Sequence, residues 1–145
     1  MSNELHCVKA FHTKFGFMVN QKPVHLSPRK MAERIAFLQE ELDELKLGAQ
    51  QHNMPEMADA LVDIVYVALG TALMMGLPWD RLFADVQRAN MQKIRGVGKR
   101  GNLSDCIKPA GWVGPLTEGI LKEAGYNFLT DSLPENFQDD PEYSI

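Results

Sequence analysis

The chain of 145 residues contains only two cysteines, Cys7 and Cys106, and no CxxC pair. Thiols this few and this far apart exclude a disulfide framework and a structural zinc site of the usual ligand spacing. The first residues also lack a basic segment that leads into an apolar run and a small-residue cleavage site, the pattern of a signal peptide. We therefore expect a protein of the reducing cytoplasm.

Positive charge is not in excess: the formal net charge is −4 and the isoelectric point is about 5.5. Binders of nucleic acid or membrane surfaces usually carry a basic excess, so neither is expected as a partner. The longest apolar run, 64–77, contains glycine and threonine and falls short of the roughly 20 residues that span a bilayer, which predicts a buried helix. No phosphate loop of the GxxxxGKS/T or GxGxxG kind is present, which excludes those nucleotide-binding folds.

What the sequence does contain is apolar periodicity of the helical kind. Together with capping residues and terminal glycines, it predicts four helices at about 3–15, 28–48, 55–75 and 78–95. Short connections between them predict antiparallel packing in an all-α four-helix core. The third helix is apolar nearly all round from Ala60 onward, so we expect it to be enclosed at the centre of that core.

One domain, 1–125, accounts for this pattern, because 145 residues with 45% apolar composition suit a single core. Within it, 96–115 is rich in glycine and basic residues and predicts a functional loop or flap. A short helix is expected at 116–124. The remaining residues, 126–145, are expected to form an extended acidic tail.

A cluster of acids, EELDE, lies in the second predicted helix. It places Glu40, Glu41 and Glu44 within about one turn, with the last two at i and i+3 so that their carboxylates project together. Most such runs are solvated helix faces, and the motif alone leaves that interpretation open beside a functional one. Arg34, one or two turns earlier, is expected to be a counter-ion of the acids or a phosphate contact.

A second set of acids lies in the third helix, where Glu56, Asp59 and Asp63 share one face. The last two lie within the apolar segment ADALVDIVYVALG, and an isolated carboxylate is costly to bury. A hard divalent cation, which prefers oxygen ligands, is a natural compensation. If the second and third helices are antiparallel neighbours, the two sets of acids converge, which favours a metal site.

Polar residues in the fourth helix and just after it indicate a place for phosphate. Asn90 and Lys93 lie on its apolar stripe, and Arg100 and Lys108 follow in the glycine-rich segment. Cationic and amide groups of this kind bind phosphate chains. A solvated lysine, a backbone-bonded asparagine and a solvated basic loop are the alternatives. Trp112 can stack on a base or plug the edge of the domain.

With EELDE, DALVD and NMQK, the sequence resembles the all-α NTP pyrophosphatase superfamily of MazG-like and phosphoribosyl-ATP pyrophosphohydrolase-like proteins. The EExxE motif of that family matches Glu40, Glu41 and Glu44. Its second acidic motif is matched by Asp59 with Asp63, one residue out of the usual spacing, while a literal ExxD pairs Asp59 with the preceding acid, at position 56.

The resemblance implies a metal-dependent hydrolase that cleaves a nucleoside triphosphate to the monophosphate and pyrophosphate. The implied ligands of Mg²⁺, for which Mn²⁺ can substitute, are Glu41, Glu44, Asp59 and Asp63. Glu40 or Glu41 is the implied acceptor of the proton of the attacking water. The family also associates as dimers or tetramers, so we expect oligomerisation to complete the core.

The segments FHTKFG, VALGTA, VQRANMQK and KRGNLSDCIKPAGWVGP resemble phage-encoded members, including the MazZ type that converts dGTP or GTP to its monophosphate. The resemblance, over about 11–112, predicts a purine triphosphate as substrate, with Phe15 and Trp112 as base contacts, in the host cytoplasm. A pyrimidine triphosphate, dUTP or dCTP, is the alternative substrate. The alternative to an enzyme is a helical interaction module, whereas a ferritin-like di-iron site is disfavoured because the Glu-x-x-His pairs are missing.

Overall fold

The structure is a computed structural model, and it describes residues 1–131. These residues form five helices and one short antiparallel hairpin. The helices are α1 (Asn3–Phe15), α2 (Pro28–Gln50), α3 (Met54–Met74), α4 (Trp79–Met91) and α5 (Thr117–Glu123), and the strands are β1 (Ile94–Gly96) and β2 (Asp105–Ile107). The prediction of an all-α protein is confirmed.

Capping residues determine where the first helix begins and ends and where the second helix begins. Ser2 Oγ accepts a hydrogen bond from the Leu5 amide at the start of α1, and Gly16, with a φ of 71°, ends that helix in the left-handed conformation. Ser27 caps α2 in the same way, and Pro28 follows at its first position, where a missing N–H costs nothing. The sequence signals at these ends therefore act as predicted.

α2 and α3 pack as an antiparallel pair. Near the end of α2, a Cβ atom added to Gly48 would lie 3.1 Å from Met57 Cγ, so glycine permits a close approach of the two helices. Toward the start of α2, Arg34 Nε donates a hydrogen bond to Thr71 Oγ1 and its Nη2 donates to the Val67 carbonyl, both at 3.0 Å. These contacts at both ends fix the register of the pair.

α1 packs against α3 and closes a small core. Its members are Leu5, Val8, Leu69 and Leu73, with Val19, Tyr66 and Trp79 packed around them. His12 of α1 is only 3% exposed, and its Nδ1 lies 3.0 Å from the Met18 carbonyl. Gly70 of α3 lies directly against this ring, because a Cβ there would be 2.9 Å from His12 Nε2. A small residue is therefore required where α1, α2 and α3 meet.

The prediction that α3 is enclosed is wrong for the half of the helix that precedes Leu69. There Leu61, Val62 and Val65 are 50–63% exposed, whereas most of 69–74 is buried. Within the described part of the chain, only α1 and α2 pack extensively on α3, and they leave this face uncovered. By length and composition alone α3 could cross a membrane, a test that core helices of soluble proteins also pass.

α4 leads from the core into the hairpin and packs chiefly against α5. It ends at Met91 rather than near residue 95, because Ile94 already belongs to the ladder, in which it pairs with Ile107. The predicted irregular loop thus contains two short paired strands. Phe83 and Val86 of α4 are 61% and 40% exposed, since within the described residues α4 makes few contacts with α1, α2 or α3.

After α5 the chain returns to the body of the protein. The Tyr126 hydroxyl lies 2.7 Å from His25 Nε2, in the segment that precedes α2, and the two rings contact each other edge to face. The predicted acidic tail thus starts with a contact to the domain. Most of that tail, 132–145, lies outside the described residues.

Candidate active site

The acids of α2 and α3 lie close together in the middle of the helix pair. Glu41 is half-buried, and its Oε2 atom is shielded from solvent without a hydrogen-bond partner. Removal of this carboxyl from water raises the pKa of Glu41, and the neighbouring carboxylates of Glu44, Asp63 and Glu40 raise it further. Glu41 of α2 and Asp63 of α3 therefore lie close enough for their charges to interact.

The other predicted acids of α3 lie further from this cluster. Asp59 is exposed one turn before Asp63 on the same face, and no effect on the pKa of Glu41 is attributed to it. Glu56 lies another turn away, with its Cβ 3.4 Å from where a Cβ on Gly48 would be. Of the two alternatives to pair with Asp63, Asp59 is thus the nearer along the helix.

The chemistry of the cluster suits a hard divalent cation, because its donors are carboxylate oxygens. A buried acceptor without a donor, such as Glu41 Oε2, is unfavourable unless a proton or a cation satisfies it. Within residues 1–131, no three His, Cys, Asp or Glu side chains already form a metal cage. A cation would therefore have to draw the Glu44 and Asp63 carboxylates toward Glu41.

A second charged region, a cleft of about 500 Å³, runs along the hairpin. Its charged lining residues are Lys93, Lys99, Arg100, Asp105 and Lys108. Three of the four predicted phosphate contacts therefore share one cleft, whereas Asn90, exposed in the last turn of α4, is not among its lining residues. Arg100 Nη2 lies 3.5 Å from Asp105 Oδ2, the only acid of the lining.

The predicted base contact Phe15 belongs to an exposed aromatic cluster. Its ring is 4.9 Å from that of Phe11 and 6.2 Å from that of Phe17, and Phe15 is 55% exposed. Phe11 in turn packs edge to face on Tyr66 of α3, at 5.5 Å between centroids. Because Tyr66 follows Asp63 by one helical turn, this cluster adjoins the acids and offers rings on which a base can stack.

The predicted base contact Trp112 is engaged within the chain. Its Nε1 donates a hydrogen bond of 2.7 Å to the Ala89 carbonyl at the end of α4. The ammonium groups of Lys93 and Lys108 lie 5.6 and 4.9 Å from its ring centroid. Trp112 therefore resembles the edge plug that the sequence left open as its alternative role.

Three residues have roles that differ from the sequence prediction or were missed by it. Arg34 fastens α2 to α3 through bonds to Thr71 and Val67 and lies about 10 Å along the helix from Glu41. Its predicted role as a counter-ion or a phosphate contact stays a prediction. Burial lowers the pKa of Arg34. His12 is a core residue whose spacing of four from Val8 was the available signal. Asp105 carries no motif, and only strand pairing reveals its place in the cleft.

Comparison with known proteins identifies the class of this chain as a nucleotide pyrophosphohydrolase. The family model of phosphoribosyl-ATP pyrophosphohydrolase matches residues 8–90, more than half of the chain. The chain belongs to the phosphoribosyl-ATP pyrophosphohydrolase family, within the MazG-like all-α NTP pyrophosphatase superfamily. The resemblance seen in the sequence is confirmed at this level. A search of the curated proteins found no significant match.

Family membership indicates a hydrolase that acts on nucleotide phosphoanhydride bonds. The match includes both acid-bearing helices and ends at residue 90, before the hairpin. The acids are therefore part of the region that the family shares, whereas the basic cleft lies beyond it.

Proposed function

We propose that this protein is a Mg²⁺-dependent pyrophosphohydrolase that converts a nucleoside triphosphate and water to the monophosphate and pyrophosphate. The observation that carries the proposal is Glu41 Oε2, a buried oxygen without a donor, among the carboxylates of Glu40, Glu44 and Asp63. A bound cation relieves both the missing partner and the repulsion between these charges. Family membership supports the class of reaction.

The acids have distinct roles in this proposal. Glu41, Glu44 and Asp63, with Asp59 beside them, would hold Mg²⁺, or Mn²⁺ in its place. When bound, the ion supplies Lewis acidity toward phosphate oxygens and lowers the pKa of a bound water. Glu40 or Glu41 accepts the proton of the attacking water.

The cations of the hairpin cleft complete the reaction. Lys93, Arg100 and Lys108 neutralise the phosphate chain, with Asn90 as an amide donor from the last turn of α4. As water forms a bond to the α-phosphorus, the bond between that phosphorus and the bridging oxygen breaks. Pyrophosphate then leaves with its negative charge neutralised by these groups.

A purine triphosphate, dGTP or GTP, is the proposed substrate, as in the phage-type and MazZ-type members that the sequence resembles. The name of the family's own substrate, phosphoribosyl-ATP, is that of a purine nucleotide. Phe15 is the favoured base contact, because it is exposed and its aromatic cluster adjoins Asp63. We place the protein in the cytoplasm, where nucleotides occur and where its two free thiols stay reduced.

We also propose that the protein is a homodimer or homotetramer. The exposed side chains of Leu61, Val62 and Val65 line an apolar groove of about 440 Å³ between α1 and α3. Contiguous apolar surface of this kind is typical of an interface. Tyr66 lines the same groove and contacts the aromatic cluster, so a second copy would also help to shape the base pocket.

The test is pyrophosphate release from each of the eight common NTPs and dNTPs in the presence of Mg²⁺. We expect dGTP or GTP to be the best substrate, and a preference for dUTP or dCTP would contradict the purine assignment. Glu44→Gln and Asp63→Asn should each lower turnover at least about 100-fold and leave the helical circular dichroism unchanged.

The matched control is Asp43→Asn. Asp43 lies next to Glu44 in α2 and is exposed, and it accepts a hydrogen bond from Gln39 Nε2. Its charge is not among those that raise the pKa of Glu41. This variant should keep wild-type turnover. Undiminished turnover in both Glu44→Gln and Asp63→Asn would refute the proposed site. If Asp43→Asn lowered turnover as much as they do, the effect would come from the net charge of the helix and not from the positions of the carboxylates.

A further inference from the structure

Three hydrogen bonds attach the segment 112–116 to α4. The Trp112 indole donates to the Ala89 carbonyl, and Arg88 Nη2 donates to the Gly114 carbonyl at 3.0 Å. The Leu116 amide donates to the carboxylate of residue 85. The Trp112 ring is therefore held in one place on the end of α4.

Two lysines flank this ring at the open end of the hairpin. Because Ile94 pairs with Ile107, the next antiparallel pair of positions is Lys93 opposite Lys108. Like charges directly opposite each other repel, which would drive the two side chains apart into solvent. Instead both ammonium groups lie within 6 Å of the Trp112 centroid, where the electron-rich face of the ring attracts them.

The same two lysines line the basic cleft, whereas Trp112 does not. The ring therefore stands behind the ammonium groups rather than in the cleft. An ammonium group has three donors, and the face of one ring leaves donors free to turn toward a ligand. A ligand in the cleft would meet two cations that are already ordered.

We propose that Trp112 is a positioning residue, which holds Lys93 and Lys108 at the cleft so that an oligophosphate binds to a preformed pair of cations. This rests on the proposed function only in assigning the cleft to the phosphate chain of the substrate. Trp112 acts through the lysines and does not contact the base. Holding both side chains in place lowers the entropy lost on binding.

The test is a double-mutant cycle that measures the dissociation constant of inorganic pyrophosphate by calorimetry on the full chain, without added metal ion. Trp112→Leu is expected to weaken binding about tenfold, the order of gain from two pre-ordered side chains. In the Lys93→Met, Lys108→Met background, Trp112→Leu should cause no further loss, because Trp112 acts only through those lysines. Trp112→Phe, which keeps a ring face, should stay within about threefold of the wild type.

A second measurement leaves Trp112 in place and so does not depend on the folding of Trp112→Leu. The chain has two tryptophans, and Trp79→Phe makes Trp112 the only one. Pyrophosphate should then change the fluorescence of Trp112, because the ligand shifts the ammonium groups beside its ring or neutralises their electric field. The change should vanish in the Lys93→Met, Lys108→Met background.

Several outcomes would overturn the inference. Two concern the cycle: Trp112→Leu binds pyrophosphate with wild-type affinity, or the losses in the triple variant are fully additive. A third is that pyrophosphate does not change the fluorescence of Trp112. A fourth is that Trp112→Leu weakens the binding of GMP and leaves the affinity for pyrophosphate unchanged. The proposed function fails separately: if no NTP is hydrolysed but the cycle shows coupling, the cleft binds oligophosphate and only the assignment of the reaction is refuted.

Discussion

The acidic cluster and the basic cleft are built in different ways. Glu41, Glu44 and Asp63 project from two long helices whose register is fixed at both ends, by Gly48 and by Arg34. The cleft lies on a hairpin with strands of three residues, which by itself is marginally stable. Its lysines depend on contacts with a tryptophan that is in turn bonded to α4.

The acidic cluster and the basic cleft thus need different kinds of structural support. Carboxylates that share a cation must be held near one another against their repulsion, and a packed helix pair provides that rigidity. Cations that follow a phosphate chain can lie on a smaller element, provided that their side chains are ordered. Substitutions where α1, α2 and α3 meet should therefore disturb the acidic cluster, and substitutions around α4 should disturb the basic cleft.

The largest effect on stability is expected from Gly70→Ala. A Cβ there would lie 2.9 Å from His12 Nε2 and 3.0 Å from Arg34 Nη2, so both buried contacts must shift. The free energy of unfolding, measured with denaturant, should fall by about 1–3 kcal/mol. Gly119→Ala is the control: the position is helical with open space around it, and the change should stabilise by about 0.5–1 kcal/mol. Unchanged stability in Gly70→Ala would contradict the packing at this junction.

The next effect concerns the cleft. Lys93→Ala should raise the dissociation constant of a triphosphate about tenfold, because one cation that contacts the phosphate chain is lost. The constant of the monophosphate should change less. Lys46→Ala, which removes an exposed lysine of α2, should change neither. Equal losses for triphosphate and monophosphate would remove the phosphate role of Lys93.

The smallest effect is expected from Asp85→Asn, which weakens the attachment of 112–116. Hydrogen bonds from Arg88 and the Leu116 amide lower the pKa of Asp85, so the ionised form is favoured in the folded state. Its contribution is therefore present above the unfolded pKa of about 3.9 and is lost as the pH falls through the lower folded value.

Melting curves at several pH values test this. Asp85→Asn should melt a few degrees below the wild type at pH 7, and the two should converge as the pH is lowered below about 4. A constant difference across the pH range would show that the ionised carboxylate is not the stabilising form.

The helices and the meeting of the acids could be predicted from the sequence because their causes are local. Ser27 and Pro28 mark the start of α2, and the short connection to α3 forces the antiparallel arrangement that brings Glu41 beside Asp63. Local signals were less reliable at Gly48, which was predicted to end α2. It lies inside the helix, where contact with Met57 requires a small residue.

The hairpin and the exposed face of α3 could not be predicted in this way. The ladder pairs 94–96 with 105–107, and Trp112 bonds to Ala89 of α4. Contacts so far apart in sequence leave no periodic pattern. An apolar surface all round a helix does not tell whether the same chain covers it, and Val62 is 63% exposed. The predicted roles of Asp59 and Asn90 stay predictions, since the charge of Asp59 is not among those that raise the pKa of Glu41 and Asn90 does not line the basic cleft.

Thermal unfolding with and without Mg²⁺ tests most directly whether the acids of α2 and α3 share a cation. A large excess of Mg²⁺ should raise the melting temperature of the wild type by several degrees, because the ion binds only the folded cluster. The same addition should leave the melting temperature of Asp63→Asn nearly unchanged and should raise that of Asp43→Asn as much as that of the wild type. A wild type indifferent to Mg²⁺ and Mn²⁺ would contradict the account and favour a helical interaction module.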